Sequence, residues 1–235
     1  WWTVVRICEG RYPELVYVML RIVCLLYLVP VVYFLMRLTV HDGYIHREGI
    51  LGWEFMLAGI EWQVGTVIGV AWMLFMLFNF VSILVKSRDE KRKLRSAGTP
   101  EDDPAVLAEF ERVAARMRIR RKIRVYRNSC LGSPAIGGIC FVKIYLPYGN
   151  FTREELSVVF HHELIHFRQH DRFFHLISRF AGILLGAGSI PGRLPEFLTE
   201  WSEICCDRRT VEALDGEVDE RRYFEIIVNI MEKIS

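Results

Sequence analysis

The six cysteines of this chain include no CxxC spacing, and we interpret the adjacent pair Cys205–Cys206 as small buried packing residues rather than a redox device. The chain begins with Trp1 and shows no secretory signal peptide with a cleavage site, so we expect a fragment or trimmed product. Charged side chains are absent from residues 64–85, a run as long as the roughly 20 residues that cross a bilayer. The uncharged run favours a membrane segment, and the cytoplasmic placement predicted below argues that the cysteines stay reduced.

Hydrophobic residues make up 52% of the chain and are concentrated near its N-terminus. Two apolar segments, at about residues 14–37 and 62–85, are predicted to be membrane-spanning helices. Lysines and arginines follow the second segment directly, so the positive-inside rule predicts that the C-terminal part is cytoplasmic. We therefore divide the chain into a transmembrane region, residues 1–89, and a cytoplasmic domain, residues 90–235.

Residues 162–166 read His-Glu-Leu-Ile-His, the HExxH signature of zinc peptidases. Positions i and i+4 of a helix differ by roughly 40° in direction and about 6 Å in height, so His162 and His166 can share one metal. Glu163 is turned about a quarter circle further round and can reach a water at that metal. Two imidazoles and an adjacent carboxylate base are the minimum apparatus for zinc-assisted peptide hydrolysis.

Capping residues predict where two helices begin. Thr152 and Glu155 form a capping box, which indicates that the helix with the HExxH motif begins directly after Thr152. Asp103 and Pro104 predict a second helix start, and that helix should run to about Met117.

A catalytic zinc needs a third protein ligand. His170 is excluded, because residues eight apart are separated by roughly 12 Å along a helix. Glu203 and Asp207 are again four residues apart, so one carboxylate can bind zinc while the other orients a ligand imidazole. Glu196 and Glu200 are alternatives, but only Glu203 has an acid one turn later.

The apolar segment at about residues 173–190 separates the two motifs. It cannot be a full membrane crossing, because Glu203 would then lie across the membrane from the histidines. It must be interfacial, re-entrant or packed on the domain, and an amphipathic helix at the headgroup level fits best. His161 and His175 are predicted to point away from the histidine pair.

A predicted strand from Ile139 to Leu146 precedes the motif helix, and we expect its edge to hold an extended substrate through backbone hydrogen bonds. A simple edge hairpin is an equally good interpretation. The candidate substrate residues are Gly138, Ile139, Cys140 and Phe141.

The HExxH motif, the following Arg168–Asp171 segment and the Glu203–Asp207 motif together resemble the BlaR/MecR family of membrane zinc metallopeptidases. Residues 133–147 also look like that family, and the resemblance covers about residues 86–230. It implies a multi-pass protein of the bacterial inner membrane. The implied fold is integral membrane, mainly α with a small β-sheet, with transmembrane helices and a cytoplasmic gluzincin-like peptidase domain.

The resemblance also implies roles for particular residues. One Zn²⁺ per chain would be bound by His162, His166 and Glu203. Glu163 would be the general base and acid, and Asp207 would orient a zinc histidine. Asp171 lies where related membrane peptidases carry Asp.

The function expected from these features is a zinc metalloendopeptidase that cleaves a cytoplasmic or membrane-proximal protein in transmembrane signalling. The substrate would be a repressor-like protein or the chain itself. The alternatives are a catalytically silent signalling scaffold with structural zinc and a housekeeping quality-control protease. Membrane lipids and a second copy are further expected partners. Nucleic acid is not an expected partner, because the basic stretch at residues 118–127 suits solvent or anionic headgroups better. Tyr223, Arg208 and Arg209 are candidate oxyanion donors.

Overall fold

The structure is a computed structural model, and it describes residues 13–26, 54–57, 60–63, 98–138, 141–184, 193–214 and 216–234, with helical residues between 67 and 85. This part of the chain is mainly helical with a small β-sheet. Its elements, in chain order, are α1 (Pro13–Leu26), β1 (Glu54–Leu57), β2 (Ile60–Gln63), β3 (Gly98–Pro100), α2 (Pro104–Arg116), β4 (Arg124–Asn128), β5 (Ala135–Gly137), β6 (Lys143–Pro147), α3 (Arg153–Gln169), α4 (Asp171–Leu184), α5 (Leu194–Ala213) and α6 (Glu220–Ile234).

The prediction of an integral membrane fold with spanning helices is wrong: no helix among the residues described above is long and apolar enough to cross a membrane. α1 has 14 residues, or about 21 Å, against a hydrocarbon thickness of about 30 Å. One face of α1 is buried against α4 and α5 rather than exposed along its whole surface. The second predicted span begins in strand β2, which pairs with β1. Residues 27–37 of the first predicted span lie outside the described residues.

The four-stranded sheet has the order β3-β4-β6-β5, in which β4 and β6 are parallel and the other pairs are antiparallel. The central strands are short and β-branched or aromatic, and Val125 lies opposite Ile144 with both side chains buried. Their buried face packs against α3. β3 and β5 are the edge strands, and β5 has β6 as its one strand partner in the described part of the chain.

The predicted helix starts are confirmed. The Thr152 side chain accepts from the Glu155 amide, and the Glu155 side chain accepts from the Thr152 amide, so α3 begins with a complete capping box. Asp103 caps α2, which has Pro104 in its first turn and is capped at its C-terminus by Met117. Both starts follow from local hydrogen bonds that do not depend on the rest of the fold.

α3 ends in an unusual conformation that shapes the site. His170 has φ of 58° in the left-handed region, and its amide bonds back to the last turn of α3. The chain therefore turns at once into α4, whose first residue, Asp171, comes to lie beside His166.

Two hydrophobic clusters stabilise the described fold. The first lies between the sheet, α2, α3 and α6. The second lies between α1, α4 and α5, and includes Tyr17, Ala181, Trp201 and Cys205. In the predicted apolar segment 173–190, residues 173–184 belong to α4, which packs against α1 and α5. Packing on the domain was one of the alternatives for this segment. Residues 185–190 lie outside the described part.

Candidate metal centre

α3 carries the two motif histidines on one face. The Nε2 atoms of His162 and His166 lie 3.0 Å apart, and the rings meet edge to face. Both side chains are mostly buried, because α3 runs through the middle of the domain. Two imidazole nitrogens at this separation are close enough to bind one ion.

Glu203 approaches the pair from α5. Its Oε2 atom lies 3.5 Å from Nε2 of His162 and 3.6 Å from Nε2 of His166. Two ligands of a tetrahedral zinc, each about 2.0–2.1 Å from the metal, are about 3.3 Å apart. The three atoms thus form a triangle whose sides match those of a divalent transition-metal site. Asp207, one turn further along α5, does not belong to this triangle.

Asp207 and Tyr223 hold the other side of His162. Nδ1 of His162 lies 3.2 Å from Oδ1 of Asp207 and 3.1 Å from the Tyr223 hydroxyl. Tyr223 is completely buried and donates to the same carboxylate oxygen over 2.6 Å. A carboxylate accepts only, so Nδ1 of His162 carries the proton and the Nε2 lone pair is directed at the site.

Asp171 orients His166 in the same way that Asp207 orients His162. Nδ1 of His166 lies 2.7 Å from Oδ2 of Asp171. Its other oxygen accepts from the Tyr17 hydroxyl and, over 2.6 Å, from the Arg21 guanidinium. Arg21 also donates to the Gln169 carbonyl oxygen over 2.5 Å. One metal-site histidine is therefore oriented by an aspartate that α1 holds in place.

The pKa shifts show what charge this cluster favours. Burial lowers the pKa of His162, but hydrogen bonds with Asp207, Cys206 and Glu203 outweigh it and hold that pKa well above its usual value. The pKa of His166 is raised in the same way, with Asp171 as the leading partner. Burial raises the pKa of Glu203, yet the two imidazoles bring it well below the usual range. The cluster thus favours added positive charge beside its carboxylates, which a divalent cation would supply in place of protons.

Glu163 lies next to this triangle and is buried. Burial raises the pKa of its carboxyl group, and the neighbouring histidines counteract only part of the shift. The backbone of Ile136 in β5 hydrogen-bonds to it. A carboxylate with a raised pKa is suited to taking and returning a proton near neutral pH.

The centre opens into a cleft of about 530 Å³. One wall is residues 132–136, which lead into the edge strand β5, and another is an apolar strip of α6. A cavity of this size is typical of ligand and substrate sites. A larger cavity of about 990 Å³ lies elsewhere, is rich in arginine, and contains none of the triangle residues.

The predicted substrate residues lie just beyond the edge strand. β5 ends at Gly137, and Gly138 has φ of 85°, where a Cβ atom would come within 2.1 Å of the Phe141 carbonyl oxygen. Phe141 is 83% exposed in the bend before β6. Ile139 and Cys140 lie outside the described residues. The predicted strand Ile139–Leu146 corresponds to β6, Lys143–Pro147, which pairs with β4 on one side and β5 on the other. The strand beside the cleft is instead β5, Ala135–Gly137.

Several side chains near the centre were missed or misjudged from the sequence. The ligand atoms of His162, His166 and Cys206 all lie within 4.8 Å of one another, although Cys206 was interpreted as packing. His175 was expected to point away from the pair but lines the cleft. The spacing of three residues from Glu203 to Cys206 could have placed both on one face of a helix.

The three candidate oxyanion donors do not face the cleft. The Tyr223 hydroxyl is bonded behind His162, on the side away from the triangle. Arg208 pairs with Glu14 and Glu212 at the surface, and Arg209 lines the larger cavity. Arg172 and His175, both of which line the cleft, are better placed for that role.

An HExxH helix, a glutamate from a second helix and carboxylates behind both histidines define the site of a metallopeptidase. The family model described as BlaR1 peptidase M56 matches residues 55–235, which is more than half of the chain. The chain therefore belongs to the BlaR1 peptidase M56 family, and the resemblance found in its sequence is confirmed. Members of this family are metallopeptidases, so membership implies peptidase activity and a protein substrate. None of the curated proteins compared matches the chain.

Proposed function

We propose that the chain is a zinc-dependent endopeptidase, with one Zn²⁺ held by His162, His166 and Glu203. The observation that carries this proposal is the triangle of their ligand atoms, with sides of 3.0, 3.5 and 3.6 Å, beside the buried carboxyl group of Glu163. These atoms fit a metal with nitrogen and oxygen ligands, and imidazole with carboxylate is a ligand set that zinc favours in hydrolases.

Each residue at the site has a distinct task. When bound, zinc polarises the scissile carbonyl and lowers the pKa of a water molecule toward neutrality. Glu163 removes a proton from that water and returns it to the leaving amine, which its raised pKa favours. Asp207 and Asp171 keep the two imidazoles in the tautomer that offers Nε2 to the site.

The cleft suits an extended polypeptide. The edge of β5 that has no strand partner among the described residues borders it, and a strand-like substrate can pair with such an edge through its backbone. The opposite wall contains four apolar side chains of α6, which favour a substrate with apolar residues: Ile227, Ile230, Met231 and Ile234. A repressor-like protein or another copy of the chain, acting in signalling, is the proposed substrate.

Metal analysis of four proteins tests the proposal. Wild type and the Glu163→Gln, Glu203→Ala and Glu200→Ala variants are purified, their zinc is measured, and cleavage of the chain and of an unfolded protein substrate is followed on gels. Glu200 is the matched control, because it is exposed on α5 three residues before Glu203. We expect one zinc per chain in wild type, Glu200→Ala and Glu163→Gln, with much less in Glu203→Ala.

Cleavage should be lost in Glu163→Gln by about 100-fold or more, because a general base contributes at least that factor. Undiminished cleavage by Glu163→Gln would contradict the mechanism, and a full zinc content in Glu203→Ala would remove Glu203 from the ligand set. Cleavage of one defined protein rather than many separates signalling from housekeeping. The predicted cytoplasmic location of this domain, at the bacterial inner membrane, stays a prediction, as does a homodimer.

A further inference from the structure

A thiol lies beside the proposed zinc ligands and has no part in the mechanism above. The Sγ atom of Cys206 and the ligand nitrogens of His162 and His166 are all within 4.8 Å of one another. The thiol donates to the carbonyl oxygen of His162 over 3.2 Å, and the residue is completely buried. No other thiol in the described part of the chain belongs to such a cluster.

The thiol lies on the inner side of the centre. His162, His166 and Glu203 line the cleft, whereas Cys206 is not among the described residues that do so. Glu203 and Cys206 are three residues apart on α5, so both side chains face α3, with the carboxylate toward the cleft and the thiol toward the interior. A metal in the triangle therefore has solvent on one side and sulfur on the other.

Cys205 shows that burial alone does not produce this arrangement. It is also completely buried, but it belongs to the hydrophobic cluster between α1, α4 and α5. Burial raises the pKa of its thiol to about 11, as expected for a packing residue. The two adjacent cysteines thus face different sides of α5 and provide a matched pair.

We propose that Cys206 is a fourth protein ligand of the metal and closes the centre in a latent form of the enzyme. This inference rests on the proposed function, because it needs a metal at His162, His166 and Glu203. Zinc binds thiolate readily, and a site with four protein ligands is closed, whereas a catalytic site keeps one position for water. Cys206 would bind the metal from the interior side, opposite the cleft that admits water.

The exchange between the two forms is a ligand substitution without oxidation or reduction. Closing would form the sulfur–metal bond and break the bond to the water, which leaves through the cleft, while the thiol proton goes to solvent. Opening breaks that bond, a water oxygen takes the position, and the thiolate takes a proton from solvent. The S–H group then donates to the carbonyl oxygen of His162, which is the arrangement in this structure.

Cobalt substitution reads the ligand directly. Co²⁺ replaces zinc in wild type and in the Cys206→Ser, Cys206→Ala and Cys205→Ala variants, and absorption spectra are recorded in the visible and near ultraviolet. A thiolate on cobalt produces an intense near-ultraviolet charge-transfer band, whereas the visible bands report cobalt in the site whatever the ligands. We expect the charge-transfer band in wild type and Cys205→Ala and its loss in both Cys206 variants, which keep their visible bands.

The peptidase rate with saturating zinc is the second readout. Removing the Cys206 ligand should convert every chain to the open form. If one wild-type chain in ten is open, the peptidase rate should therefore rise about tenfold. Serine keeps a hydrogen bond to the carbonyl oxygen of His162, so Cys206→Ser separates loss of the ligand from loss of packing. Thermal unfolding of each variant verifies that it is folded.

The outcomes separate the two proposals. Visible bands without a charge-transfer band in wild type would overturn the role of Cys206 and leave the metal centre intact. The same conclusion follows from a charge-transfer band that survives in the Cys206 variants, or from a rate that does not rise in them. Cobalt that binds nowhere in folded wild type would overturn both proposals.

Discussion

Replacement of Asp171 by Asn should weaken metal binding more than any other change outside the ligands themselves. The Asp171 carboxylate is 2% exposed and accepts from three donors: His166 Nδ1 at 2.7 Å, Arg21 at 2.6 Å and the Tyr17 hydroxyl. An amide has one acceptor atom where the carboxylate has two. The NH₂ group of the asparagine must then face either Nδ1 of His166 or the Tyr17 and Arg21 side chains. Each of these is a donor, so a donor would face a donor.

The size of the effect follows from these contacts. Loss of a hydrogen-bonded partner behind a metal-binding histidine typically costs 10- to 100-fold in metal affinity, or about 1.4–2.7 kcal/mol. Arg21 also loses its buried counter-charge, so the free energy of unfolding should fall by about 1.5–3 kcal/mol. Tyr17→Phe removes only one of the three donors and should have a smaller effect on both quantities.

Two measurements suffice: the zinc Kd by competition with a chromophoric chelator, and the free energy of unfolding in urea. Asp219→Asn is the control, because Asp219 is exposed and its side chain accepts a hydrogen bond from the amide of Arg222, away from the metal centre. We expect the order Asp171→Asn, Tyr17→Phe, Asp219→Asn from weakest to strongest zinc binding. A folded Asp171→Asn protein whose Kd stays within twofold of wild type would refute the coupling between Asp171 and the metal.

Three further predictions concern other contacts. Tyr223→Phe removes a hydroxyl that contacts both His162 and Asp207, and the zinc Kd should rise by about two- to tenfold in the same competition assay. Thr152→Ala removes one half of the capping box of α3 and should lower the free energy of unfolding in urea by about 1 kcal/mol. Burial raises the pKa of Glu109, but hydrogen bonds from arginine side chains outweigh it and the net shift is downward. Its stabilisation is therefore complete above the ordinary Glu pKa of about 4.3 and is lost as the pH falls below it, so the difference in stability between wild type and Glu109→Gln should shrink there.

The local part of the site could be predicted because its causes are local. The i, i+4 spacing brings His162 and His166 together on any helix, and the capping box at Thr152 requires only residues within one turn. The spacing of Glu203 and Asp207 works in the same way on the second helix. Such patterns depend on helix geometry, which the remainder of the chain does not alter.

The long-range contacts could not be predicted, since no local pattern encodes them. Tyr17 and Arg21 meet Asp171 across about 150 residues of sequence, and nothing in the composition of α1 indicates an aspartate as its partner. The apolar character of α1 instead suggested a membrane, because counts of apolar residues do not distinguish burial in lipid from burial against α4 and α5. The facing of Cys206 is an exception, because its spacing of three residues from Glu203 places both on one face of a helix.

α5 contributes its buried side chains to the second hydrophobic cluster and α3 to the first, so the metal centre between these helices is a cross-link between the two clusters. Glu203 comes from the helix that packs with α1 and α4, whereas both histidines come from the helix that packs on the sheet. A bound ion ties these two halves together, so occupancy should merge their unfolding into one cooperative transition. Without the ion, amides around α1 and α4 should exchange with solvent at a lower free energy than those of the sheet. Hydrogen exchange should then resolve two units, one that contains α1 and α4 and one that contains the sheet.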